Sequence, residues 1–410
     1  MRRVPRRSAM VITVALQAAL AGCESSDGTT LTVRDSLGVE IRTNRDSDLV
    51  FGTVRAEPEL SLGGAQVEGP TQFSRIQGML VDPAGRLWIA DGQSNELRIF
   101  EADGTHWKTL GGRGQGPGEF LQLQVLGLVG GERVVVWDRG NARRTVFDLE
   151  GEIVEANRLP TGETAVPRAY GLFREGEILA PLPTVLRAGS LEPGVTLRDT
   201  LRLVRLDAAT GRRTRVAVAA GPAWLWTGRQ QLPLPFTINP GVEVEGESVL
   251  VTSGRDFRIR RFRDGEVVEI YGLDRSPRRV SAEAIAAYRR FTTEYVPDER
   301  RDDYLALTDH SDRPDFLPAY SQLVVDDAGR TWALVYSPDF GEAVWDVYDP
   351  ERRWLGRIDV PDGLQLMEVR GGWLYGVWRD GLGTEHVRAY RFDPSRPGAG
   401  EGAWQEEDAS

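Results

Sequence analysis

The chain has 410 residues, 50 of them Lys or Arg and 61 Asp or Glu, for a formal net charge of −11. That balance argues against nucleic acid and against an anionic membrane surface as partners, since both select for basic faces. A single cysteine excludes a disulfide framework, so stability must come from a hydrophobic core, for which the length is ample.

The N-terminus, MRRVPRRSAMVITVALQAALAGC, opens on Arg2, Arg3, Arg6 and Arg7 and continues through an apolar run from Ala9 to Leu20. This is the pattern of an export signal, and the run is well short of the roughly 20 residues that cross a bilayer. It ends in Leu20-Ala21-Gly22-Cys23, which resembles the lipobox of bacterial lipoproteins. The resemblance implies cleavage after Gly22, a diacylglycerol thioether on Cys23 and a place in the cell envelope. Glu24, where an aspartate would signal retention, points by the same resemblance to the outer membrane, on its periplasmic or surface face. The expected order is a signal peptide over 1–22, a flexible lipid-anchored tether over 23–31, a folded domain over 32–394 and a disordered tail over 395–410.

Residues 32–44, TVRDSLGVEIRTN, predict a hairpin that turns at Ser36-Leu37-Gly38. A repeat follows. VDPAGRLWIADGQSNELRIFEADGTHWKTLGG (81–112) matches VDDAGRTWALVYSPDFGEAVWDVYDPERRWLGR (325–357), with Asp82, Gly85, Arg86 and Trp88 spaced as Asp326, Gly329, Arg330 and Trp332. Each unit alternates apolar and polar residues with the period of a sheet. Weaker copies at 131–160, 176–218, 246–273 and 371–394 bring the total to six. Units of roughly 50 residues suit four-stranded propeller blades. The hairpin at 32–44 or residues 59–62 would supply a further strand to the last blade and close the ring.

Asp138 to Phe147, DRGNARRTVF, resembles the D-x-x-N-x-R-I-x-x-F part of NHL repeats, and Asp91–Phe100 and Ser253–Phe262 keep its spacing. The chain as a whole resembles the six-bladed, NHL-like β-propeller lipoproteins of bacterial envelopes. This implies an all-β fold of six four-stranded blades with one helical insertion. The resemblance is strong in the first two units and weak in the third and sixth.

Between the first two units lies GGRGQGPGEF (111–120). It lacks the GK[ST] of a phosphate loop, and Pro117 stands where a dinucleotide fingerprint needs its third glycine. It reads instead as the link from one blade to the next, with Phe120 opening the next inner strand.

The chain carries three histidines, His106, His310 and His386, in separate units, which argues against a zinc site. No GxSxG nucleophile motif accompanies them. Six-bladed lactonases hold calcium in the channel through Asp, Glu and Asn oxygens, which makes Asp91, Asp138 and Asn141 candidate ligands by resemblance. In NHL-like repeats the same residues more often hydrogen-bond the turn after the second strand, a local structural role.

The stretch 281–315 breaks the β period. A Ser281 cap and Ile285, Tyr288, Phe291 and Tyr295 at helical spacing predict a helix that packs that stripe on the propeller face. Arg289 and Arg290 would then point away from the stripe, near the channel mouth, unless local acids such as Glu283 and Glu294 pair them. Free guanidiniums there would suit an acidic small molecule or peptide. The reading is a lipid-anchored, non-catalytic module that binds a ligand, a peptide or another envelope protein and needs no cofactor. The alternative is a calcium-dependent lactonase- or lyase-type enzyme on the same fold.

Overall fold

The computed structural model describes residues 23–24, 30–64, 68–160, 167–182, 191–252, 254–338 and 343–395. The signal segment with Leu20, Ala21 and Gly22, Ser253 and tail residues 396–410 lie outside the described residues.

The repeated D-x-x-G-R-x-W is a turn lock. Asp82 accepts the N–H groups of Ala84 and Arg86 with one carboxylate oxygen. The other oxygen accepts Arg86 Nε at 2.9 Å and the buried Trp88 Nε1 at 3.0 Å. Asp326 repeats every contact with Ala328, Arg330 and Trp332. Gly85 and Gly329 sit at φ +85° and +75°, where a Cβ is disfavoured. The motif thus fixes the turn from the first strand of a blade to the second, and drives the tryptophan into the core.

Six antiparallel sheets follow in chain order. The first blade is Ile76–Val81, Leu87–Asp91, Glu96–Phe100 and His106–Gly111. The second is Leu123–Val129, Arg133–Asp138, Arg143–Phe147 and Ile153–Arg158. The third runs Gly171–Leu172, Ile178–Pro181, Thr196–Leu206 and Arg213–Trp226, with Gln231–Pro233 as a fifth strand. The fourth is Val242–Glu245, Ser248–Val251, Arg258–Arg263 and Glu266–Leu273. The fifth is Tyr320–Val325, Thr331–Val335, Ala343–Tyr348 and Trp354–Val360. The sixth contributes Gln365–Arg370, Trp373–Arg379 and Glu385–Pro394. Each first strand contacts the first strands of both neighbouring blades, so the six surround a central channel. The protein is a six-bladed β-propeller.

The core is divided among the blade interfaces. Trp88 and Leu97 of the first blade pack with Phe120 and Val134 of the second. Trp332 and Trp345 of the fifth pack with Leu366 and Tyr390 of the sixth, and the other four interfaces have clusters of the same kind. No blade buries its faces alone, so the ring is the unit of stability.

Of the two expected closing strands, one fills that role. Leu60–Gly63 pairs antiparallel with Glu385–Pro394 and completes the sixth blade from the N-terminal side. The hairpin, Thr30–Ser36 with Val39–Asn44, goes elsewhere: Val39–Asn44 pairs in parallel with Glu266–Leu273 and widens the fourth blade. The reason is Asn44. Its buried amide donates to Gly272 O and Arg352 O, and its carbonyl accepts Trp354 N at 3.0 Å, so it seats the hairpin between blades four and five. The expected tether also gains structure, since Cys23–Glu24 pairs with Thr30–Leu31 at that sheet's edge. Ser395, in the expected tail, donates its N–H to the carbonyl of Phe51.

The link 111–120 is architecture, as its sequence indicates. Gly111 has φ +92°, and a Cβ there would stand 2.6 Å from the Phe120 ring. Asn141 and Arg143 of the second blade donate to the carbonyls of Gly114 and Gly116 and pin the loop.

The insertion holds two helices, not one: α1 (Ala282–Tyr295) and α2 (Asp298–Ala306), followed by a short 3-10 turn. Ser281 Oγ accepts Ala284 N, the expected cap. The buried face of α1 is set by Ala284 and Ala287, with Ile285 and Tyr288 half-buried against Phe236, Leu317 and Tyr336. Tyr295 lies off that face and is exposed, against expectation, because α1 ends there and α2 turns its Tyr304 and the following Leu307 into Ala223, Leu232 and Leu234. Both helices therefore lie on the face where outer strands hand over to inner ones, above blades three to five.

Candidate functional site

The channel has a volume of about 650 Å3 and opens on the same face into a mouth of about 230 Å3. Arg75, Gln77, Gln124 and Arg168 line both, so the two spaces are continuous.

Arg75, Arg139 and Arg168 reach the mouth from the starts of blades one, two and three. Arg75 precedes the first inner strand and donates to Gly92 O at 3.0 Å. Arg139 follows the second strand of blade two, where Nε donates to Gln122 Oε1 at 2.8 Å. Arg168 is positioned by its neighbours. Buried Trp137 donates Nε1 to Pro167 O at 3.0 Å, and Gln124 donates Nε2 to Ala169 O at 3.2 Å. The backbone is thus held on both sides of an exposed guanidinium. Among the described residues, none of the three arginines forms an ion pair, and no carboxylate lines the mouth. Three guanidiniums, three glutamine side chains and an indole edge form a preorganised surface for an anion.

The channel walls carry three carboxylates. Glu385 accepts Ile76 N and faces Arg379, both at 2.5 Å. Glu368 accepts Val81 N and Arg370 Nε, both at 2.7 Å; burial still pushes its carboxyl up. Glu243 is different. Among the described residues it accepts only the N–H of Val244, at 2.8 Å, and loss of hydration in the channel raises its carboxyl to about 7.

The residues singled out in the sequence are placed elsewhere. Asp138 accepts N–H groups from Leu121, Gln122 and Gly140 and the amide of Asn141, tying the second blade to its entry loop. Asp91 accepts Gln93 N and lies 3.5 Å from Arg98. These are turn locks outside the channel. Among the described residues no three His, Cys, Asp or Glu side chains gather closely enough to hold a metal ion. His106 meets Thr109, His386 meets Asp380, and His310 accepts Asp312 N, each a partner close by in sequence. Arg289 does not stand free. It donates to Thr308 Oγ1 and to the Asp309 carboxylate at 2.9 Å, bracing α1 against the turn after α2; the acids expected to pair it, Glu283 and Glu294, do not. Arg290 is exposed on α1, and neither arginine lines the mouth or the channel.

A family described as a 6-bladed beta-propeller, DUF5128, matches residues 72–168, which span the first two blades and the approach to the third. No curated protein matches the chain by sequence. Among solved structures, it is similar to a member of the DUF4221 family from Bacteroides vulgatus, with 11 % identity, a TM-score of 0.46 and coverage of 84 % of this chain and 99 % of that one. It is similar to virginiamycin B lyase from Staphylococcus aureus at 10 % identity, TM-score 0.38 and coverage of 77 % and 94 %. Regucalcin from Agrobacterium tumefaciens, a calcium-binding protein, aligns at 12 % identity, TM-score 0.34 and coverage of 84 % and 95 %. Identities and scores this low assign no activity to the chain, because function resides in the site and not in the propeller.

Proposed function

We propose that the protein is a non-catalytic binding module of the bacterial cell envelope, anchored through lipidated Cys23, which captures a carboxylate-bearing small molecule or peptide at the channel mouth. The observation that carries this reading is the convergence of Arg75, Arg139 and Arg168, without an ion-pair partner among the described residues, in a chain of net charge −11. Arginine forks match carboxylates in two-point geometry, and the mouth supplies three from three blades. The histidines and turn-locking aspartates stand outside this site, and the mouth's own residues are cations and amides suited to binding. Anchoring rests on the basic and apolar segment that ends in Leu20-Ala21-Gly22-Cys23.

The test is thermal stabilisation by citrate, with chloride of matched ionic strength as control. A ligand that binds the folded state alone raises its melting temperature in proportion to occupancy. Citrate should stabilise the wild type, and Arg168→Ala and Arg75→Ala should each remove most of that shift. An identical shift in wild type and variants would end the proposal.

A further inference from the structure

The mouth leads to a carboxylate that has no counter-charge among the described residues. Glu368 and Glu385 each face an arginine and accept a backbone N–H from blade one, so both are structural. Glu243 accepts the N–H of the next residue and forms no ion pair among the described residues. Gly171 of blade three packs against the strand that carries it. A Cβ at that position would stand 3.0 Å from Val244 Cγ2 and 4.0 Å from Glu243 Oε1. Arg168 and Tyr170 flank the same approach, and both line the channel wall with Glu243. A carboxylate placed in a cavity without a partner costs free energy, which a cationic donor on a ligand would offset.

Resting on the reading of the mouth as a carboxylate site, we infer that the ligand is zwitterionic: its carboxylate binds Arg75, Arg139 and Arg168, and its ammonium, deeper in the channel, binds Glu243. A short peptide with free ends meets this description. Three to five extended residues span roughly 10–18 Å, so a series of these lengths samples the reach from the mouth into the channel.

The probes are glycine peptides of three to five residues, each as the free peptide, the N-acetyl form and the C-terminal amide, titrated calorimetrically at a pH of about 7.5. The acetyl form lacks the ammonium and the amide lacks the carboxylate. For at least one length, the free peptide should bind about tenfold more tightly than its acetyl form. Glu243→Gln should weaken the free peptide about tenfold and leave the acetyl form unchanged within about twofold, a charged hydrogen bond being worth that much. Equal binding of free and acetylated peptides by the wild type overturns the inference, and needs no variant to fold. So does a Glu243→Gln loss that is the same for both. If the free peptide binds no more tightly than its amide, the mouth reading itself has failed. If no peptide binds at all, both fall.

Discussion

Glu368 on the inner strand of the sixth blade accepts the N–H of Val81 on the first at 2.7 Å, and so bridges the seam at which the ring closes. Every other pair of neighbouring inner strands belongs to blades that follow each other in the chain. This one depends on Glu368, on Glu385 with Ile76 N, and on the return of Leu60–Gly63 to the sixth blade. Glu368→Ala leaves Val81 N and Arg370 without their acceptor and should cost about 2 kcal/mol, with Glu368→Gln costing less. Urea denaturation reads both. Removal of residues from 361 onward takes away the whole partner surface and should give an aggregating product; a soluble, cooperatively melting fragment would count against ring closure as the source of stability.

Asn44 makes three buried hydrogen bonds that join the N-terminal hairpin to Gly272, Arg352 and Trp354. Asn44→Ala should lower stability by about 2–4 kcal/mol, because three backbone groups lose partners at once. Amide exchange should then speed up over Val39–Asn44 while the first and second blades keep their protection. Unchanged exchange in the hairpin would show that strand pairing alone holds it.

Glu243 gives a pH dependence of definite sign. Its carboxyl is raised to about 7 in the folded protein from an ordinary value of 4.5. The folded state therefore holds that proton more tightly than the unfolded state. Stability from this group declines as pH rises through that window, and the full penalty is present above about 7. Glu243→Gln removes the penalty and should stabilise the protein at pH 8 by roughly 1–3 kcal/mol, with solvent in the channel reducing the ideal figure. At pH 4 the two proteins should be alike. Denaturation midpoints at both pH values decide it, and a destabilised variant at pH 8 contradicts the assignment.

Anchoring has a direct readout. Cys23→Ser should move the protein from the membrane pellet to the soluble envelope fraction, where an antibody or tag detects it. A variant that pellets as fully as the wild type would rule out lipidation at Cys23.

The fold was legible because its locks are written in short range. Asp82 and Trp88 stand six residues apart, and so do Asp326 and Trp332, so a turn that fixes a tryptophan can be read without tertiary information. The Gly-rich link was legible for the same reason, since Gly111 must clear Phe120 nine residues on. The hairpin's destination was not, because Asn44 finds its partners more than 220 residues away. The second helix was missed as well: the polar run DERRDD carries no stripe, and its docking comes from Tyr304 and Leu307 near its end. The mouth was illegible for a different reason. All but one of the chain's basic residues are arginines, so Arg75, Arg139 and Arg168 carried no mark of their own. The spacing of Arg139 after the Asp138 turn lock was the one available signal. Arg289 looked free because Asp309, its partner, lies twenty residues on.

The account stands on a carboxylate bound by arginines at the mouth, and one titration addresses it most directly. N-acetyltriglycine and its C-terminal amide are compared calorimetrically on the wild type and on Arg168→Glu, which reverses one charge at an exposed position. The account predicts that the acid binds the wild type at least about tenfold more tightly than the amide, and that Arg168→Glu abolishes that preference. Equal binding of acid and amide by the wild type, or a preference that survives Arg168→Glu, would contradict it.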